Sequence, residues 1–218
     1  MPEPVVLLTG FEPFGGDDAN PSQDVVRALD RGVVNGHRIE GVLLPVAFAP
    51  VPSLLEALLA HHQPALVLAL GQAGGRSGLS IERVALNLAD ARIADNAGAQ
   101  PMDQPVLAGA PAAYFSSLPV KAMAARLRAQ GIPADLSLSA GTYVCNQVFF
   151  TLAHLLATRH AGARGGFIHV PWLPAQAARQ PCGGPSMALA TMVEGVRAAL
   201  ECALQLELDE RLVGGAVC

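Results

Sequence analysis

In the stretch SAGTYVCNQVFFTLAH, residues 139–154, a cysteine stands between a small polar turn and a run with the character of a helix. At the opening of a helix, Cys145 meets unpaired backbone N–H groups and the positive end of the helix dipole, which favour a thiolate. The chemistry open to such a residue is nucleophilic attack on a carbonyl, which needs a base and commonly an acid that orients the base. The local context also fits a plainer role, a small apolar residue buried in the first turn of a helix.

The base must come from six histidines. His154 lies nine residues on, about 13 Å along the helix axis and half a revolution round, and His160 is farther still. His61 and His62 end a helix-like segment and His37 opens a strand-like one, which puts them at or near the wrong edge of a sheet. His169 is left, at the carboxyl end of GFIHV and two residues before Pro171. For the third member Glu82, in GLSIERVALNLAD, could accept the imidazole N–H and hold the useful tautomer. Asp90, Asp95 and Asp103 compete, and spacing does not rank them. In GFEPFGG, residues 10–16, Phe11 and Phe14 sit three apart in a glycine-rich loop. The loop lacks the Gly-Lys-Ser/Thr ending of a phosphate loop and is not G-x-G-x-x-G. An apolar wall for a small flat ligand fits it better.

These residues need elements to position them. Short apolar runs at 4–10, 37–46, 65–71, 81–90, 134–139 and 166–170 read as strands. Helix-length amphipathic segments at 21–30, 51–62, 119–131, 144–159 and about 185–207 alternate with them. Such alternation predicts an α/β fold with a largely parallel sheet and helices on both faces, in one domain. Sites in open α/β sheets lie beyond the carboxyl ends of strands. That predicts the site among the loops TGFEPFGGDDANP, GQAGGRSG, SAGTYVCN and HVPWLP.

Composition bounds the function. The 218 residues are 51% hydrophobic and 15% charged, with a net charge of −4 and no basic run. Nucleic-acid or anionic-membrane binding therefore has no electrostatic support. MPEPVVLLTG has no basic region and only a short apolar run, so neither a signal peptide nor a membrane span is expected, and a cytoplasmic location is the default. None of Cys145, Cys182, Cys202 and Cys218 has C-x-x-C or zinc-ligand spacing, so no metal site and no disulfide framework is expected. Cys202 reads as inert within a helix, and Cys182 and Cys218 as loop and tail residues.

Taken together, LLTGFEPFGG with the following Asn-Pro-Ser (7–22), GQAGGRSGLSIERVALN (71–87), DARIADNAG (90–98), SAGTYVCN (139–146) and GFIHVPWLP (166–174) closely resemble the pyroglutamyl peptidase type I, or pyrrolidone-carboxylate peptidase, family of cysteine peptidases. The resemblance spans nearly the whole chain in family order. It implies a three-layer α/β/α sandwich, often assembled as a tetramer, and a catalytic triad of Cys145, His169 and Glu82. It also implies a substrate pocket of Phe11, Phe14, Asn20, Gln72, Tyr143 and Val144, with Arg92 near the reacting centre. The implied reaction removes an N-terminal pyroglutamyl residue from peptides through an acyl-thioester, with no cofactor. The chain departs from the family at GFEPFGG, where aspartate commonly follows Gly-Phe, and at Tyr143, where phenylalanine is common. The Tyr143 hydroxyl is expected beside the pocket. Two other classes keep parts of this pattern: a cysteine hydrolase of another small amide, and a non-catalytic binding module that would tolerate loss of Cys145.

Overall fold

Strands buried on both faces read as continuous apolar runs, whereas half-buried ones alternate. The three runs Val5–Phe11 (β1), Leu66–Gln72 (β4) and Arg164–Val170 (β9) are of the first kind, and they form the middle of the sheet in a computed structural model that describes residues 3–214. The remaining elements are Pro21–Leu29 (α1), Val33–Val34 (β2), His37–Leu44 (β3), Val51–His62 (α2), Leu79–Glu82 (β5), Val84–Leu86 (β6), Ala113–Phe115 (β7), Val120–Ala129 (α3), Ala134–Ser137 (β8), Val144–Thr158 (α4), Pro174–Ala178 (α5) and Leu189–Gln205 (α6).

A seven-stranded sheet runs in the order β2-β3-β1-β4-β9-β5-β8, and β6 and β7 pair separately as a hairpin. β3, β1, β4 and β9 are parallel, while β5 pairs antiparallel to β9 and parallel to β8. One face of the sheet packs through Val6, Leu8, Leu68 and Ile168 against α1, α3 and α6. The other packs through Leu7, Val67, Ala69 and Phe167 against α2 and α4. The expected three-layer α/β/α arrangement is what forms.

Two sequence expectations need correcting. The apolar run 81–90 is not one strand. Glu82 is the last residue of β5, and after Arg83 the chain leaves the large sheet to pair with β7. Period-two alternation carries across the break because the buried Ala85 packs in the same layer as α4. Secondly, the loop 138–143 follows β8, which runs opposite to β1, β4 and β9, so it does not leave the carboxyl edge of the parallel strands. It crosses back instead, tied by Asp90 N–H to Thr142 C=O (3.0 Å) and by the Thr142 hydroxyl to Asp90 C=O (2.7 Å). The short β2, β7 and α5 carry too few residues for a periodicity and were not expected. Cys218 lies outside the described residues.

Candidate active site

Register places the reactive side chains. Gly71 on β4 is the partner of His169 on β9, and Glu82 on β5 is the partner of Phe167. Partners across a ladder project to the same face, as do residues two apart on one strand. Gly71, His169, Phe167 and Glu82 therefore share the face covered by α4. A Cβ built on Gly71 would stand 2.8 Å from Cys145 Sγ and 2.8 Å from the Phe167 ring. The sulfur thus occupies the space that a side chain at 71 would fill, one strand away from His169. That spacing between strands is about 4.8 Å.

The helix that carries Cys145 is pinned at its start. Asn146, fully buried, accepts from Leu86 N–H (2.9 Å) and donates to the carbonyls of Leu86 (2.8 Å) and Leu88 (2.9 Å), standing in for a strand beside β6. Gln147 donates to Phe48 C=O at 2.6 Å. Gln147 N–H is the first to bond within the helix, to Tyr143 C=O, and no side chain caps α4. The N–H groups of the first turn, Cys145 included, are left without helical partners.

His169, 4% exposed, donates Nδ1–H to Glu82 Oε1 at 2.7 Å, and Glu82 is fully buried. That bond fixes the tautomer and leaves Nε2 as the basic nitrogen. Arg76 Nη1 reaches the same Oε1 at 2.8 Å, so one carboxylate oxygen serves both partners while Oε2 is buried without one. Burial holds His169 below the usual imidazole range, against the pull of Glu82, and Arg76 lowers it further. Burial and the Glu82 charge push the Cys145 thiol up to about 12, against Arg76 and its own backbone N–H. The helix start was expected to favour a thiolate; packing of the sulfur against the sheet outweighs it. Both shifts favour a neutral thiol beside a neutral imidazole at rest.

The competing acids have other tasks. Asp95 is buried, accepting from the N–H groups of Phe48 (2.7 Å), Ala97 (2.9 Å) and Ala99 (2.7 Å), while Asp90 and Asp103 are exposed. Among the other histidines, His154 meets the Tyr114 hydroxyl at 2.9 Å, and His61, His62 and His160 line depressions at the opposite sheet edge, beside Pro4 and Val5. His37 Nδ1 pairs with Asn35 C=O.

A small cavity opens beside Cys145, lined by Phe11, Phe14, Asn20, Val46, Gln72, Tyr143 and Val144. Six of the seven expected pocket residues meet there. Arg92 does not; it is exposed on the loop between β6 and β7 and is no part of this lining. The Tyr143 ring packs edge-on to Phe48 with centroids 5.4 Å apart, and its hydroxyl donates to Ala94 C=O at 3.0 Å. The added oxygen thus faces the neighbouring loop. Asn20 caps α1, accepting from Ser22 N–H (3.1 Å) and the Ser22 hydroxyl (2.8 Å) and donating to Glu12 C=O (3.0 Å). Among the described residues no group of three or more His, Cys, Asp or Glu side chains could hold a metal ion, and no helix is long and apolar enough to cross a membrane.

Residues 5–206 match the family model described as Pyroglutamyl peptidase. The chain belongs to the pyroglutamyl peptidase family. It is 53% identical over 211 residues to a pyrrolidone-carboxylate peptidase of Klebsiella pneumoniae, covering 97% of this chain and 98% of that one. A pyrrolidone-carboxylate peptidase of Cupriavidus taiwanensis is 54% identical over 213 residues, with the same coverage. The crystal structure of Bacillus amyloliquefaciens pyroglutamyl peptidase I superposes with a TM-score of 0.92 at 39% identity, covering 95% of this chain and all of that one. The pyrrolidone carboxyl peptidase of Thermococcus litoralis gives 0.90 at 39%, covering 93% and 94%.

Within this member of the family, sequence reasoning passed over two side chains at the site, Arg76 and Gln176, and gave Asp95 no task beyond competing with Glu82. Arg76 stands inside GQAGGRSG, where a cation six residues before a buried glutamate was the available signal. Asp95 organises a loop whose Asp-Asn-Ala-Gly sequence is typical of a turn built on an aspartate side chain. Gln176, on α5, gave no signal at all.

Proposed function

We propose that the protein is a cysteine peptidase that removes an N-terminal pyroglutamyl residue from peptides through an acyl-thioester. The observation that carries this reading is the buried His169–Glu82 bond at 2.7 Å on the same sheet face as Cys145 Sγ, beside an aromatic cavity. Family membership supports the same substrate.

The steps follow from the side chains. As Cys145 Sγ attacks the pyroglutamyl carbonyl, its proton passes to His169 Nε2. Glu82 stabilises the imidazolium that forms. Backbone N–H groups of the first turn of α4 stabilise the oxyanion. Collapse of the tetrahedral intermediate breaks the C–N bond, and His169 returns the proton to the departing amine. Water, deprotonated by His169, then splits the thioester and releases pyroglutamate and free Cys145. The uncharged lactam enters between Phe11, Phe14 and Tyr143 without the desolvation cost that an N-terminal ammonium would carry. Arg92 has no step here.

The test is release of a fluorescent amine from pyroglutamyl and prolyl amides, with and without Cys145→Ser. Cleavage after pyroglutamyl only, abolished by the substitution, is expected. Cleavage surviving Cys145→Ser, or none with either amide, overturns the reading. A cytoplasmic homotetramer belongs to the same proposal. Such an assembly would cover apolar side chains such as Met102 and Phe115, which are 77% and 70% exposed. Light scattering of the purified protein reads its mass.

A further inference from the structure

Gln176 lies on the short helix α5, 2% exposed, and every polar group of its amide is engaged. Its Oε1 accepts from Leu173 N–H at 3.0 Å. Its Nε2 donates to Ala19 C=O at 3.2 Å, to Asp17 Oδ2 at 3.4 Å and to Gln72 Oε1 at 3.0 Å. A backbone N–H can only donate and a backbone C=O can only accept. Leu173 and Ala19 together therefore allow one orientation of the Gln176 amide, with its NH₂ toward Gln72.

The constraint passes on. Two amide NH₂ groups cannot pair, so Gln72 must turn its oxygen to Gln176. What Gln72 has left is its own NH₂, and Gln72 lines the cavity beside Cys145. We infer that Gln176 is a positioning residue for substrate specificity: it locks Gln72 so that the pocket presents a hydrogen-bond donor, matched to the ring carbonyl of a five-membered lactam. The inference rests on the proposed pyroglutamyl specificity and adds what sets its polarity. Without Gln176 the Gln72 amide is free to invert and present an oxygen, which repels the ring carbonyl.

The pocket can be read without the reaction by calorimetric titration of 2-pyrrolidone into the intact protein, with pyrrolidine as the ring that lacks the carbonyl. Gln176→Met is expected to weaken 2-pyrrolidone binding about tenfold, the scale of one hydrogen bond lost and a polar group left unmatched. In parallel it should raise KM for a pyroglutamyl amide by a similar factor with kcat within about twofold, and leave inactivation by iodoacetamide unchanged, since that reagent has no ring. Gln72→Glu keeps the acceptor for Gln176 but replaces the donor by a second, charged acceptor that repels the ring carbonyl, so it should lose 2-pyrrolidone at least as severely. If Gln176→Met loses its thermal transition, Gln176→Glu takes its place, because a carboxylate keeps the acceptor for Leu173 N–H but offers Gln72 no donor, and the same loss of 2-pyrrolidone binding is expected. Binding of 2-pyrrolidone unchanged in a folded variant overturns the inference. So does a Gln176→Met, Gln72→Met double variant markedly weaker than Gln72→Met alone, because a residue acting through Gln72 adds nothing once Gln72 is gone. Lactam binding that responds as expected in a protein that cleaves no pyroglutamyl amide would support the lock while refuting the peptidase reading.

Discussion

A neutral thiol beside a neutral imidazole determines how this site should respond to pH. His169 can take the Cys145 proton only while it is unprotonated, and burial holds its value below 6.5. Activity is therefore lost as pH falls through that lowered value and is complete above it. The thiol, pushed up to about 12, does not ionise in the working range. The kcat/KM profile for a pyroglutamyl amide should rise on the acid side and stay level between pH 7 and 9. A preformed thiolate–imidazolium pair would fall again as the imidazolium lost its proton, so a bell with an alkaline limb in that range refutes the neutral pair. Arg76 lowers His169 and Cys145 alike. Arg76→Met should then move the acid limb to higher pH and reduce kcat by roughly tenfold, the equivalent of about one pKa unit. An acid limb that stays put, or moves down, would show that Arg76 acts on neither group. Glu82→Gln keeps the size of the side chain and removes the charge that supports imidazolium. It is expected to fold and to lose on the order of 10³–10⁴ in kcat; an unchanged kcat would remove Glu82 from the mechanism.

At the scale of elements, the site depends on how closely α4 approaches the sheet. Gly71 permits that approach, because any Cβ there would meet both Cys145 Sγ and Phe167 at 2.8 Å. Gly71→Ala should cost about 1–3 kcal/mol in overpacking, read as a lowered Tm, and abolish activity by lifting the sulfur from His169. Full activity with an unchanged Tm would mean that the sulfur does not rest on Gly71. The sequence reveals such elements unevenly. β1, β4 and β9 were legible because strands buried on both faces leave a continuous apolar run, and α4 because its helical pattern follows a turn. His169 could be reached by elimination because helix ends and strand starts exclude the other histidines from the carboxyl edge. The end of β5 was not legible. Arg83 continues the alternation of 81–90, and only the competition between β8 and β7 for backbone partners ends the strand there. Gln176 was hidden for a different reason. Its role is set by Leu173, Ala19 and Gln72, two of them more than a hundred residues away in the chain, and no local pattern records such a junction.

At the scale of the molecule, three of the four cysteines fall in three different environments, which makes them reporters of opening. Cys145 is half-buried beside the cavity, Cys182 is exposed on the loop after α5, and Cys202 is 3% exposed in the core between α6 and the opposite sheet face. Burial also raises Cys202 above the usual thiol range, so its reaction requires both access and ionisation. A core residue of this kind becomes accessible chiefly through global unfolding, whereas a residue at a ligand cavity needs only local motion. In native buffer, iodoacetamide should modify Cys182 irrespective of ligand, and Cys145, whose proton His169 takes up as the sulfur attacks, at a rate slowed by 2-pyrrolidone, with loss of activity following Cys145 alone. Cys202 should remain unmodified until denaturant is added, and its labelling should then track the unfolding transition. Peptide mapping after timed labelling distinguishes the three. Labelling of Cys202 at the rate of Cys182 in native buffer would contradict the packing of α6 on the sheet. Protection of Cys182 by 2-pyrrolidone would place the ligand somewhere other than the cavity beside Cys145.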